Sequence, residues 1–172
     1  MKEPAAGTRN VLAESARIAR GDIVDVRKVV AAEIDALIFP GGFGAAMNLC
    51  SFASDGADCG VNPDVERLVC EVLAARKPIG AICIAPAMLA RIVGKNDIHA
   101  TLTIGADAMT AAAIDAMGAR HANCGVTEMV TDETHRIVST PAYMLGKGPA
   151  EVFEGIRKLV NEVLRLCSVQ PR

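Results

Sequence analysis

Residues 77–88, Lys-Pro-Ile-Gly-Ala-Ile-Cys-Ile-Ala-Pro-Ala-Met, constrain the fold of this chain more than any other stretch. Ile79, Ala81 and Ile82 make a short apolar run of the kind that becomes a buried parallel strand. Pro86 stands where a first helical turn tolerates it, because its missing N–H is one the helix cannot use. Residues 87–93 then read as helix, closed by Gly94. Cys83 therefore falls at a strand-to-helix corner. Such a corner lifts a side chain above the carboxyl edge of a sheet and aims helix N–H groups at it, which favours a thiolate. Cysteine is also among the residues most often buried purely for packing, so the pattern admits both a nucleophile and a core residue.

The rest of the chain alternates helices and strands. Residues 8–20 predict a helix capped by Thr8, with Leu12, Ala16 and Ala19 on one face and Gly21 at its end. Residues 22–26 predict a short strand, and 29–34 a helical turn. Residues 36–39 are a second buried-strand run, stopping at Pro40-Gly41-Gly42, where the backbone can turn sharply and approach a ligand with free N–H groups. A plain tight turn uses the same residues. Residues 43–61 predict a short helix through Asn48, then a loop at 51–60 of a length that tends to be functional. Asn62 and Pro63 open a helix that turns Val65, Leu68, Val69, Val72 and Leu73 inward. Past the elbow, 99–104 alternates as a strand, and 106–117 is an Ala-rich helix ended by Gly118. Residues 128–139 read as a hairpin, and 149–166 as an amphipathic helix. This order points to an α/β sandwich around a mainly parallel sheet, one domain over residues 1–172.

Composition narrows the function. Hydrophobic residues make up 51%, with one Tyr, four Phe and no Trp, so the core is built from small aliphatic side chains. A net charge of −2, from 18 basic and 20 acidic residues, argues against a nucleic-acid surface. No apolar run reaches the roughly 18–20 residues a membrane helix needs, and Met-Lys-Glu-Pro at the start is no signal sequence. The six cysteines, at 50, 59, 70, 83, 124 and 167, show neither C-x-x-C nor Cys/His ligand spacing. Neither a metal nor a cofactor is expected, and reduced thiols point to a cytoplasmic protein.

Three blocks occur in a fixed order: Phe39-Pro40-Gly41-Gly42-Phe43-Gly44-Ala45-Ala46-Met47-Asn48-Leu49, Ala81-Ile82-Cys83-Ile84-Ala85-Pro86-Ala87-Met88, and Ser139-Thr140-Pro141-Ala142-Tyr143-Met144. Together they resemble the ElbB-like (enhancing lycopene biosynthesis) proteins, a branch of the PfpI superfamily. The likeness extends to Thr8-Arg9-Asn10-Val11-Leu12 and Leu102-Thr103-Ile104-Gly105. It implies a flavodoxin-like, glutamine-amidotransferase-like three-layer sandwich with Cys83 as the elbow nucleophile. It also implies an oxyanion-hole-like pocket from the N–H groups of Gly42 and Ile84, with Gly41, Asn48 and Thr140 nearby. The activity implied is cofactor-free conversion of a 2-oxoaldehyde, such as methylglyoxal, to a 2-hydroxy acid, linked to isoprenoid biosynthesis.

The chain departs from the family pattern at several points. It begins well inside that pattern, without the first strand or the Asp-Gly-Ser-Glu stretch whose carboxylate faces the cysteine. Ile84 stands where the PfpI-type peptidase pattern has His, and no His-x-Glu pair lies near Thr140. A glutamine-hydrolysing subunit is therefore a poor reading. His121, with Cys124 close in sequence, is the best substitute base, although a lone His is more often a surface or satisfied residue. Two readings stand: a weak glyoxalase-like enzyme, and a non-catalytic, redox-sensitive binding or regulatory domain using Cys83. Without a first strand, 36–39 is expected to be an open edge covered by a second copy in a homodimer, or by residues 8–26.

Overall fold

The apolar runs at 36–39 and 79–82 become adjacent parallel strands, β1 (Leu37–Phe39) and β2 (Ile79–Ile82), in a computed structural model that describes residues 9–169. On its other side β2 pairs in parallel with β6 (Ile137–Thr140). The hairpin partner of β6, β5 (Val130–Asp132), runs antiparallel and completes the order β1-β2-β6-β5. All four residues of β2 are buried, as a strand covered on both faces requires.

Each face of the sheet carries its own apolar cluster. Helix α6 (Pro149–Ser168) lays Val152, Leu159, Val163 and Leu166 against Ile82 and Val138. The opposite face holds Phe39, Ile79, Ala81 and Ile137 under α3 (Pro63–Ala74) and α4 (Ala85–Lys95). Each large side chain so buried contributes about 1.5–3 kcal/mol. Helix α3 starts as its sequence dictates: Asn62 Oδ1 accepts from the Asp64 N–H at 3.0 Å, and Pro63 occupies the first position. Helices on both faces of a mostly parallel sheet make the expected three-layer sandwich.

The departures from expectation have local causes. Helix α1 (Val11–Ile18) is capped by Asn10, whose side chain accepts from the Ala13 N–H at 3.0 Å; Thr8 lies outside the described residues. Residues 22–26 do not form a strand. Asp25 Oδ1 instead accepts from the Arg27 N–H at 3.0 Å and starts a 3-10 turn, Val26–Lys28, a side-chain bond that competes with strand pairing. Arg67 and Lys77 then tie this segment down: Arg67 donates to Val26 O, and Lys77 to Ala31 O and Ile34 O. The strand expected at 99–104 shrinks to β3 (Thr101–Leu102), which pairs in parallel with β4 (Arg120–His121) in a separate two-stranded sheet. Its N–H groups are claimed by hairpin side chains, Thr101 by Asp132 Oδ2 at 2.7 Å and Thr103 by Ser139 Oγ at 2.9 Å.

Helix α4 also runs through Gly94 instead of ending there. A Cβ at that position would lie 1.6 Å from Met117 O, just past α5 (Ala108–Ala116), so the glycine serves a close approach between the two helices. The long loop at 51–60 contains one short helix, α2 (Phe52–Asp55), and a 3-10 turn, Gly56–Asp58. Among the described residues no helix is long and apolar enough to cross a membrane.

Candidate functional site

The parallel register aligns Phe39 with Ala81 and Ile82 with Thr140, so the loops after β1, β2 and β6 leave the sheet side by side at its carboxyl edge. Cys83 sits between the other two loops. It forms, with Ile84, the two-residue connection from β2 to α4. Its φ of +62° is left-handed, a conformation that costs a non-glycine residue about 1–2 kcal/mol. The Cys83 N–H donates to Thr140 O at 3.0 Å, which pins the corner to β6. A half-exposed cysteine held at positive φ on a strand–helix turn has the geometry of a nucleophile elbow.

The Pro40-Gly41-Gly42 turn is built around that corner. Gly41 has φ +86°, and a Cβ there would fall 2.3 Å from Ile82 O and 2.9 Å from Cys83 Cβ. Only glycine permits this contact. Gly42, at φ +83°, faces open space, and neither its N–H nor that of Ile84 donates to an acceptor among the described residues. The chain then enters a π-helical turn, Ala45–Leu49, which packs on α4. Such turns are rare and frequent at functional sites. Asn48 lies exposed on it, its amide nitrogen 3.8 Å from where a Gly44 Cβ would stand. A cavity of about 180 Å³ opens beside this turn, lined by Ala46, Met47, Ser51, Ala53 and Ser54, and Cys83 does not line it.

Two residues singled out in the sequence stand differently. Thr140 is fully buried, and its hydroxyl donates to Glu128 O at 2.7 Å. It supports the elbow through its carbonyl alone. His121 stands on β4, in the second sheet, where its Nε2 accepts the Ile104 N–H at 3.3 Å. Burial lowers its pKa, with Asp115 opposing, so the ring is held towards the neutral form with that nitrogen occupied. Neither side chain is among the groups that hold Cys83. The loops flanking the elbow add two exposed aromatics that the motif blocks contain but to which they assign no role, Phe43 at 81% and Tyr143 at 61% accessibility. The single Tyr of an aromatic-poor chain, directly after a strand end, was the available signal.

Burial pushes the thiols of Cys50, Cys59, Cys70 and Cys124 up from the ordinary value, which slows their reaction as thiolates. Among the described residues no three His, Cys, Asp or Glu side chains gather as a metal site. The strain at the elbow yields an expected result. Cys83→Gly relieves the left-handed penalty and should raise stability by about 1 kcal/mol, a Tm rise of roughly 2–4 °C. Thermal melts of the two proteins check this.

The fold and the elbow define an amidotransferase-like α/β domain, and comparison with known proteins narrows that class. The chain is 46% identical to a rat protein named "ES1 protein homolog, mitochondrial", over 92% of this chain and 62% of that one. It is 45% identical to the human "Glutamine amidotransferase-like class 1 domain-containing protein 3, mitochondrial", over 95% of this chain and 63% of that one. A zebrafish mitochondrial ES1 protein is 33% identical, and the chain covers 67% of it. Among solved structures, an Ehrlichia chaffeensis isoprenoid biosynthesis protein with an amidotransferase-like domain superposes with a TM-score of 0.85 at 35% identity, covering 95% of this chain and 74% of that one. The chain belongs to the glutamine amidotransferase-like family that includes the ES1 proteins. It spans about 62–63% of the length of the rat and human relatives. No protein-family model matches it. The relatives also correct the cytoplasmic expectation, since the rat, human and zebrafish proteins are all named mitochondrial.

Proposed function

We propose that the chain is an ElbB-like, glyoxalase-like domain that captures 2-oxoaldehydes on Cys83. The observation that carries this reading is the half-exposed Cys83 at φ +62° beside two backbone N–H groups without acceptors. The thiolate adds to the aldehyde carbon, forming a C–S bond, and the carbonyl oxygen becomes an alkoxide. On this reading the Gly42 and Ile84 N–H groups, which have no backbone acceptor among the described residues, donate to that oxygen, with Asn48 assisting. Conversion then requires a base to move the proton from the former aldehyde carbon to its neighbour, which leaves a thioester of the 2-hydroxy acid. Water releases the acid and restores the thiol. That the Ehrlichia chaffeensis relative is an isoprenoid biosynthesis protein supports an ElbB-like assignment. Lactate formation from methylglyoxal, compared between this protein and Cys83→Ser, tests the reading; equal rates would refute it.

One observation favours the redox-sensitive alternative. The Cys83 thiol hydrogen-bonds to no carboxylate or imidazole among the described residues, and its oxidation by a peroxide, which passes one oxygen to sulfur and leaves as water or an alcohol, needs no such group, whereas turnover does.

The assembly proposal rests on β1. Its outer edge has no strand partner among the described residues, and Ile38 is 36% exposed. Helix α1 buries none of its residues and leaves Val11 and Ile18 in solvent. A two-fold homodimer would cover these surfaces. Light scattering is expected to give twice the chain mass, and a monomer across a wide concentration range would contradict this.

A further inference from the structure

We propose that the carboxyl edge around Cys83 selects neutral 2-oxoaldehydes with an aromatic or other apolar substituent, which packs between Phe43 and Tyr143, and discriminates against aldehydes that carry charge. This rests on the reading of Cys83 as an aldehyde-capturing nucleophile and names the substrates within that class. The capture step is the same for all of them. A C–S bond forms, the carbonyl π pair moves to oxygen, and the thiol proton ends on that oxygen.

The strands and connections that meet at Cys83 carry no charge. Residues 40–54, 79–90 and 137–146 contain no Asp, Glu, Lys, Arg or His, in a chain with 18 basic and 20 acidic residues. Charge resumes only at Asp55, Arg91 and Lys147, beyond the turns themselves. A carboxylate or phosphate on a substrate would meet no cation on these loops, and its desolvation would go uncompensated. The Gly42 and Ile84 N–H groups are taken up by the aldehyde oxygen on this reading.

Apolar side chains stand on both sides of the cysteine instead. Gly41 approaches it so closely that a Cβ there would lie 2.9 Å from Cys83 Cβ. Phe43 follows two residues later, its Cα within roughly 7 Å of Gly41 Cα. On the other side Thr140 O accepts the Cys83 N–H at 3.0 Å, and Tyr143 follows on the turn Ala142–Met144. Both aromatics lie in solvent, as does Met47 on the π turn. Scattered singly such residues would mean little, but gathered at one edge beside a nucleophile they mark a ligand surface. The backbone under Tyr143 is also held. Ala142, buried at φ +44°, is strained for an alanine, a conformation that clusters at functional sites. Its carbonyl accepts the Leu145 and Gly146 N–H groups at 3.2 and 2.8 Å, which fixes the turn. An aromatic presented on a fixed backbone loses little freedom when a ligand packs on it.

The test compares how strongly phenylglyoxal, methylglyoxal and the charged glyoxylate protect Cys83 of the whole chain from alkylation near pH 6.5, read by mass spectrometry. Incubations are short and protection is reversed by dilution, which separates capture at Cys83 from arginine modification. Half-protection is expected at about tenfold lower concentration for phenylglyoxal than for methylglyoxal, and at about tenfold higher concentration or more for glyoxylate. Phe43→Ala and Tyr143→Ala should each cut the phenylglyoxal advantage about threefold or more, and Tyr143→Phe should keep it. Both side chains lie in solvent, so these variants keep the fold. Equal protection by phenylglyoxal and methylglyoxal, protection by glyoxylate as strong as by methylglyoxal, or an advantage that survives both alanine variants would overturn the inference while leaving capture by Cys83 standing. A lower molar mass of Phe43→Ala by light scattering would assign the rim to a contact between copies and overturn it too. Protection by none of the aldehydes would instead refute aldehyde capture itself, and this inference with it.

Discussion

Gly41→Ala is expected to lower stability by about 3 kcal/mol or more, a Tm loss of roughly 6–12 °C, while Gly42→Ala should cost only about 1 kcal/mol. The two glycines are neighbours with nearly the same dihedral, φ +86° and +83°. The difference lies in what a methyl group meets. At Gly42 it meets nothing within 4 Å; at Gly41 it meets the backbone oxygen of Ile82 at 2.3 Å and Cys83 Cβ at 2.9 Å. A backbone oxygen cannot swing aside as a flexible side chain can, so the loop or the elbow must move. Gly41→Ala should therefore also change the rate at which Cys83 is alkylated, and Gly42→Ala much less so. Equal melting points for the two variants would show that the turn and the elbow are not packed as described.

The largest expected kinetic effect follows from the lack of a base bonded to Cys83 among the described residues. On the proposed chemistry, a thiolate alone captures an aldehyde reversibly, but the proton transfer needs a group within hydrogen-bond reach. Such a group contributes about 10²–10⁴-fold, or roughly 3–5 kcal/mol of barrier. The Cys83 thiol has no hydrogen-bond partner of that kind among the described residues, and His121 Nε2 already accepts the Ile104 N–H. On that chemistry the chain is expected to form lactate from methylglyoxal about 10²–10⁴ times more slowly than an enzyme with a positioned base would. His121→Gln should leave that slow rate unchanged. A fast turnover that is lost on His121→Gln would return the base role to His121.

The elbow was legible in the sequence because three local signals agreed: the apolar run from Ile79 to Ile82, the cysteine after it, and Pro86 one turn later. Asn62-Pro63 marked the start of α3 for the same reason, a cap and a first-position proline acting together. What stayed hidden depended on partners distant in sequence. Gly94 reads as a helix stop, yet it sits inside α4 because Met117 O approaches it closely. The alternation at 22–26 reads as a strand, yet Asp25 turns the backbone with its own side chain and Arg67 holds Val26 O from another helix. Thr140 reads as a site hydroxyl, yet it is drawn inward by Glu128 O. The π turn at 45–49 carries no mark in its residue types, since Ala, Met, Asn and Leu suit an ordinary helix equally well. Of the residues implied for the site, Gly41, Gly42, Cys83 and Ile84 meet at one sheet edge because the parallel register puts them there.

Whether Cys83 is an aldehyde-capturing nucleophile is tested most directly by a protection experiment. The protein is alkylated near pH 6.5 with and without methylglyoxal, and all six cysteines are mapped by mass spectrometry. Cys83 is expected to label first and to be protected reversibly and saturably by methylglyoxal, with Cys50, Cys59, Cys70 and Cys124 labelling slowly in both conditions. Faster labelling of Cys167 or Cys50, with Cys83 inert and unaffected by the aldehyde, would contradict the elbow assignment.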